Sequence, residues 1–291
     1  MTATETARTA PETVGVLGGG RMGAGIAHAF LLAGSRVHVV ERDEPSADAA
    51  RERVMARVAT SVRRGDLPDA AAVESAFTVG IDAAAFAGAG LVVEAVPEDR
   101  DLKIDALTRI ESAVADDAVL ATNTSSISID ALAASLARPG RFLGLHFFNP
   151  VPASRLVELV VGGRTDADVV AAGREWIAAL GKTPVVVRDS PGFASSRLGV
   201  MLGLEAIRML EEGVADPADI DAAMELGYRH PMGPLRTTDV VGLDVRLGIA
   251  EELTRELGPR FQPPVLLRRM VAEGKLGRKS GEGFYVWNEE R

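Results

Sequence analysis

The stretch Thr13–Phe30, TVGVLGGGRMGAGIAHAF, decides the fold. Val14–Leu17 is a short apolar run. Gly18, Gly20 and Gly23 follow at once in GxGxxG spacing, and an apolar-periodic segment then continues through Leu32. A strand, a tight glycine turn and a helix in that order form a cradle for a dinucleotide pyrophosphate. The first glycine permits the turn, the second lets backbone approach the phosphates, and the third lets helix pack on strand. The helix N-terminus then offers its N–H groups to the phosphate oxygens. The motif alone is weak in a chain with 30 glycines, but its context strengthens it. The second strand candidate, Arg36–Val40, leads into Glu41, an acid placed to take both ribose hydroxyls and repel a 2′-phosphate. The expectation is NAD rather than NADP, held by Gly18, Gly20, Arg21, Met22, Gly23 and Glu41.

Outward from this stretch the pattern alternates. A charged amphipathic helix is predicted over roughly 46–64, a strand over Leu91–Val96, a helix over Leu102–Val114 and a strand over Ala118–Ala121. Arg141–Phe148 and Arg155–Val161 read as two further strands, Ala167–Leu180 as a helix and Thr183–Val187 as a β-branched strand. Alternation of this kind implies a Rossmann-type α/β domain with a mostly parallel sheet. After Asp189-Ser190-Pro191-Gly192 the periodicity becomes helical: Phe193–Glu212, Pro217–Leu226, Pro234–Leu257 and Pro263–Glu273. The expected organisation is a disordered tail over 1–12, a nucleotide-binding domain over 13–189 and an all-α domain over 190–291. The terminal GRKSGEGFYVW, rich in glycine and aromatics, is expected to pack back onto the body.

Composition excludes several classes. There is no cysteine, so disulfides, thiolate metal sites and a cysteine nucleophile are ruled out. A net charge of −9 argues against general nucleic-acid binding, though local basic patches can still hold anions. The N-terminus lacks the basic start and apolar core of a secretory signal, and no apolar run reaches the ~18 residues of a membrane span. A cytoplasmic protein is expected. The four histidines, His28, His38, His146 and His230, show no metal-ligand spacing, and neither a Walker A lysine nor a serine-nucleophile elbow occurs. No metal is expected.

From about residue 14 to 287 the chain resembles the L-3-hydroxyacyl-CoA dehydrogenase family. The resemblance rests on GVLGGGRMGAGIA, LVVEAVPED, ATNTSSISI, GLHFFNP, RLVELV, LGKTPVVVRDSPGF, HPMGP and GRKSGEGFY, in the family's order and spacing. It implies an NAD-dependent oxidoreductase acting on a (3S)-3-hydroxyacyl thioester. His146 and Glu158 fill the family's histidine–glutamate pair. Imidazole, with a pKa near 6.5, suits proton transfer in both directions, and a carboxylate on its far nitrogen fixes the tautomer. Without the resemblance, a lone histidine in an apolar strand reads as a satisfied core residue. Ser125 matches the active-site serine. Asn123, Ser125 and Asn149 are implied along the nicotinamide half of the cofactor, and Glu98 and Lys103 match an acid and a lysine that touch it. Arg57, Arg63 and Arg64 fall where the family meets CoA; an exposed amphipathic helix explains the same charges.

One position departs. The family's PGFxxN carries an asparagine that bonds the substrate, and here PGFASS places Ser196 there. Serine is shorter and lacks the amide's two donors. Arg197 and Arg229-His230 lie nearby in sequence as further polar candidates. Ser196 motivates an alternative substrate, a carrier-protein-bound hydroxyacyl group or a free hydroxy acid. A third reading is a dinucleotide-binding structural or regulatory protein of low turnover. The apolar RLGVMLGLEAIRML suggests a buried or interface helix, and the family commonly forms homodimers through this domain.

Overall fold

The structure is a computed structural model that describes residues 9–287. The chain divides between Ser190 and Pro191 into two compact units.

The first unit holds eight strands: β1 Thr13–Leu17, β2 Arg36–Val40, β3 Phe77–Gly80, β4 Leu91–Glu94, β5 Val119–Thr122, β6 Phe142–Phe147, β7 Leu156–Val161 and β8 Thr183–Arg188. They form one sheet in the order β3-β2-β1-β4-β5-β6-β7-β8. Every neighbouring pair is parallel except β6–β7, which is antiparallel. Strand order reverses between β1 and β4, so a crevice opens at their carboxyl ends, where open α/β sheets bind ligands. The helices are α1 Arg21–Leu32, α2 Glu44–Arg64, α3 Ala71–Glu74, α4 Arg100–Ala113, α5 Ile129–Ala133 and α6 Ala167–Ala179. The central strands are near-continuous apolar runs because both faces are covered. α2 begins with Asp43 accepting from Ser46 N at 2.8 Å, Pro45 in its first turn and Gly65 closing it in the left-handed region.

Two details differ from the sequence expectation here. β3 is absent from it, because FTVG has only four residues and only Phe77 and Val79 are large and apolar. Of the expected 1–12 tail, residues 1–8 lie outside the described residues, while Pro11 and Glu12 are tied into the fold. The Pro11 carbonyl accepts from Ser35 Oγ at 2.7 Å and the Glu12 carbonyl from Arg36 N at 2.8 Å.

The second unit contains α7 Ser195–Glu211, α8 Pro217–Tyr228, α9 Pro234–Val241, α10 Leu243–Leu257 and α11 Val265–Ala272. Its own core includes Val200, Leu204, Ile207, Leu235, Leu243, Leu253, Phe261 and Leu267. The single helix expected over Pro234–Leu257 is two, because Gly242 has φ +105°, which no helix accommodates. The terminal segment does pack back. Buried Asp239 accepts from Phe284 N, Tyr285 N and Trp287 Nε1 at 2.8–2.9 Å, and Asp221 accepts from the Tyr285 hydroxyl at 2.7 Å. No described helix is long and apolar enough to cross a membrane.

Candidate active site

The glycine turn joins β1 to α1 at the crevice. Gly18 has φ +95°, and a Cβ there would lie 2.9 Å from the Ala95 carbonyl oxygen. A Cβ on Gly23 would fall 1.7 Å from the Gly18 oxygen, so the turn closes only without side chains. Gly20, the N-cap of α1, has open space around its missing Cβ and no side chain caps the helix. The first-turn N–H groups are thus left without a side-chain cap, with open space beside Gly20, as a pyrophosphate requires. Glu41 Oε1 accepts from Gly19 N at 2.6 Å, which fixes its carboxylate beside the turn. Arg21 is exposed and Met22 packs on the core. The residues present therefore fit NAD.

Two arginines of α2 brace this turn. Arg57 Nη2 donates to the Arg21 carbonyl at 3.3 Å, and Arg53 Nη1 to the Gly19 carbonyl at 3.4 Å. Arg57 thus leans under the turn, whereas Arg63 and Arg64 stand exposed in the last turn of α2, Arg63 on Thr60 Oγ1 at 2.8 Å.

At the end of β4 lies a network that the sequence reading touched only in part. Lys103, on α4, is 1% exposed. Its ammonium donates to Glu94 Oε1 at 2.8 Å, Glu94 Oε2 at 3.1 Å and the Val96 carbonyl at 3.2 Å, with Glu98 Oε2 at 3.4 Å. The ammonium of Lys103, a residue expected to touch the cofactor, is directed at these protein acceptors. Glu94, wholly buried, also accepts from Thr122 Oγ1 and Val96 N, both at 2.6 Å. Burial pushes the Glu94 carboxyl up, with Lys103 pulling against it. Glu98 Oε1 accepts from Thr124 Oγ1 at 2.5 Å, Ser125 N at 2.9 Å, Ser126 N at 3.1 Å and Ser126 Oγ at 3.0 Å. For Glu98, burial acts to raise the pKa, but Lys103 and these donors outweigh it and hold the carboxyl below its ordinary value. Glu98 thereby sets the Asn123–Ser126 loop that carries Ser125. Sequence reasoning missed Glu94, Thr122 and Thr124. The available signal was an acid ending an otherwise apolar strand, LVVE.

β6 and β7 bring the predicted histidine and glutamate together. In their antiparallel register His146 sits directly opposite Glu158. His146 Nδ1 and Glu158 Oε2 are 2.8 Å apart, and both residues are buried, at 5% and 1% exposed. Phe148 flanks the imidazole with ring centroids 4.4 Å apart. Asn123 Oδ1 accepts from Phe147 N at 2.9 Å, which ties the loop after β5 to the end of β6. Asn149 follows β6, exposed, and precedes a cis peptide to Pro150. The first unit therefore brings His146, Asn123, Ser125 and Asn149, at the carboxyl ends of β5 and β6, to the same edge of the sheet as Glu158, near the amino end of the antiparallel β7. In the second unit Ser196 lies half-buried in the first turn of α7, and Arg197 follows it. His28 and His38 belong elsewhere. His28 Nε2 lies 3.0 Å from Ser61 Oγ inside the α1–α2 packing, and His38 Nδ1 lies 2.5 Å from Thr78 Oγ1 between strands.

Comparison with known proteins agrees with this geometry. Residues 13–190 match the model of the 3-hydroxyacyl-CoA dehydrogenase NAD-binding domain, and residues 192–287 match that of the 3-hydroxyacyl-CoA dehydrogenase C-terminal domain. The chain is 43% identical to a 3-hydroxybutyryl-CoA dehydrogenase of Mycobacterium tuberculosis over 95% of its length and 98% of that protein. Among solved structures, FadB2 of M. tuberculosis superposes with a TM-score of 0.91 at 43% identity, covering 96% of this chain and all of that one. The (S)-3-hydroxybutyryl-CoA dehydrogenase PaaH1 of Ralstonia eutropha also gives 0.91, at 38% identity with the same coverage. A glycine turn fit for NAD, a buried histidine–glutamate pair and family matches across both units thus converge: the chain belongs to the 3-hydroxyacyl-CoA dehydrogenase family, a family of NAD-dependent oxidoreductases.

Proposed function

We propose that the protein interconverts a (3S)-3-hydroxyacyl-CoA and its 3-oxoacyl form, with His146 as general acid and base and Glu158 as its positioning partner. The buried His146–Glu158 contact of 2.8 Å carries this reading. Bound NAD supplies the hydride acceptor for carbon 3 of the substrate. With Glu158 accepting from Nδ1–H, the Nε2 lone pair of His146 takes the hydroxyl proton as hydride leaves. In reduction the same nitrogen returns that proton to the developing alkoxide. Ser125, held by Glu98 through its backbone N–H, and Ser196 are the polar groups assigned to the substrate oxygen. Asn123, Asn149 and Glu98 order the nicotinamide end of the crevice, while Gly18, Gly20, Gly23, Arg21, Met22 and Glu41 hold the rest of the cofactor. Arg57 and Arg64 are assigned to CoA phosphate. Replacing Arg57 by alanine should raise KM for an acyl-CoA and not for a short pantetheine thioester; equal effects would remove this role.

The test is loss of NADH absorbance with acetoacetyl-CoA, with its carrier-protein thioester and with free acetoacetate. Turnover of the CoA ester with His146→Gln reduced by roughly 10³-fold or more, at unchanged NADH affinity, supports the assignment. Preference for the carrier-bound or free acid would favour the alternative that Ser196 motivates. Tight NADH binding without turnover of any of them would favour a binding role. Exposed apolar residues Leu198 and Leu202 on α7 and Val240, Val241 and Val245 on α9 and α10 support a homodimer through the helical unit. Sedimentation at micromolar concentration should show a dimer, and a monomer would contradict it.

A further inference from the structure

One buried cation in the helical unit takes no part in the site as described. Arg246, on α10, is 5% exposed, its Nε is buried without a hydrogen-bond partner, and among the described residues it forms no ion pair. Three buried or half-buried carboxylates of the same unit bond other groups, and only Asp244 Oδ1 among their oxygens is buried without a partner. Asp239 and Asp221 accept from backbone N–H groups, and Asp244 Oδ2 pairs with Lys279 at 2.6 Å. Burial alone lowers the Arg246 pKa to about 10, which leaves the guanidinium charged at neutral pH. A desolvated charge without a counterion is costly, and folded proteins retain one where a ligand completes it.

The placement of the side chain says which ligand. α7 is notched by Gly199 and Gly203. A Cβ on Gly203 would lie 3.6 Å from Arg246 Nε and 3.9 Å from its Cδ, and a Cβ on Gly199 would lie 3.4 Å from Nη1. The side chain therefore runs along this face of α7 from Gly203 towards Gly199, with its tip directed to the helix N-terminus. Ser196 is one turn further on. Residues at i and i+7 share a helix face, and those at i and i+3 have Cβ atoms about 5–6 Å apart. Ser196 and Gly199 are half-buried, so the tip lies at the open end of the notch, whereas Gly203 is buried.

We propose that Arg246 is the receptor for a carboxylate on the acyl chain, so that the substrate is a 3-hydroxyacyl thioester carrying a second, terminal acid group. The inference rests on the reading of Ser196 as a substrate contact. A group bonded to Ser196 and a carboxylate on Nη1 are then separated by a few carbon atoms, which fits a six-carbon diacid. A guanidinium matches a carboxylate with two parallel N–H donors. CoA phosphates lie beyond the thioester, on the far side from the acyl terminus, so the acyl group itself must bring the charge.

The decisive comparison uses 3-oxoadipyl-CoA and 3-oxohexanoyl-CoA, which have the same chain length and differ in the terminal acid. With NADH, the wild-type protein should favour the diacid in kcat/KM by on the order of 10²-fold. Arg246→Met should bring the ratio close to unity, and Arg246→Lys should retain part of it. Gly199→Ala, which keeps the charge but crowds Nη1, should lower the ratio independently and serves if Arg246→Met fails to fold. A wild-type ratio near unity overturns the inference, as does a ratio unmoved by both Arg246→Met and Gly199→Ala. An equal rise in KM for both thioesters in Arg246→Met assigns the guanidinium to CoA and also overturns it. If neither thioester turns over although NADH binds, the proposed function fails separately. Calorimetric titration of both thioesters into the NADH-loaded protein then decides: tighter binding of the diacid by the same factor supports the inference, and equal affinities sink it.

Discussion

Lys103 and Arg246 are both buried cations, one at the edge of the nucleotide crevice and one in the helical unit, and their surroundings are opposite. Lys103 meets the Glu94 carboxylate twice, the Val96 carbonyl and the nearby Glu98. Arg246 has an apolar core, two glycines and an unpartnered Nε. A saturated buried charge holds structure, because removing one member strands the others. An unsaturated one lowers stability in exchange for recognition. Burial of a cation is thus not informative by itself; the count of acceptors around it is.

The largest expected effect breaks the saturated side. Lys103→Met leaves Glu94 and Glu98 uncompensated and should cost about 3–5 kcal/mol in urea unfolding. Glu94 is already raised by burial, and without the ammonium it rises further. The penalty applies above the carboxylate's unfolded pKa, so the deficit should shrink as pH falls through the raised folded value. A deficit that is independent of pH would show that packing, not charge, is lost.

A neutral buried base sharpens the contrast next. His28 is 2% exposed, and its pKa is lowered from 6.5 to about 4, by burial first and by Arg57 second, with Asp66 opposing. Between these values the unfolded chain binds the proton and the folded one does not. Stability should therefore fall as pH drops from 6.5 towards 4, by at most about 3 kcal/mol. His28→Gln should flatten that limb of the stability–pH curve; an unchanged slope would exclude His28 as its source.

On the unsaturated side the sign reverses. Arg246→Met removes an uncompensated buried charge and should raise unfolding free energy by about 1–2 kcal/mol, measurable as an increase in denaturation midpoint. Destabilisation of similar size would mean that the guanidinium has partners in solution. An effect of similar size tests a single bond. Thr122→Val keeps the side-chain shape but removes the 2.6 Å donor to Glu94. It should cost about 1–2 kcal/mol and act non-additively with Lys103→Met in a double-mutant cycle.

How much of this could be read beforehand follows from which interactions are local. The glycine turn, Glu41 and the alternating strands are legible because backbone geometry imposes them within a short window. His146 and Glu158 were legible as residues only through the resemblance, since nothing local says that β6 and β7 run antiparallel and bring them face to face. Glu94, Thr122 and Thr124 were hidden because their partners come from other elements. Gly242 was read inside a helix because its flanks keep helical periodicity on both sides. Arg246 has no sequence signature at all. Its meaning depends on two glycines more than forty positions earlier in the chain.

The β6–β7 pair also bears on the order of folding. Each parallel pair that is consecutive in sequence must wait for a crossover, through α1, α5 or α6 among others. β6 ends at Phe147 and β7 begins at Leu156, so this hairpin closes over a short connection with the smallest loop entropy of any adjacent strands in the sheet. His146 and Glu158, the pair proposed to carry the reaction, therefore belong to the most local contact of an otherwise non-local sheet. The pair can be aligned before the glycine turn between β1 and α1 has formed.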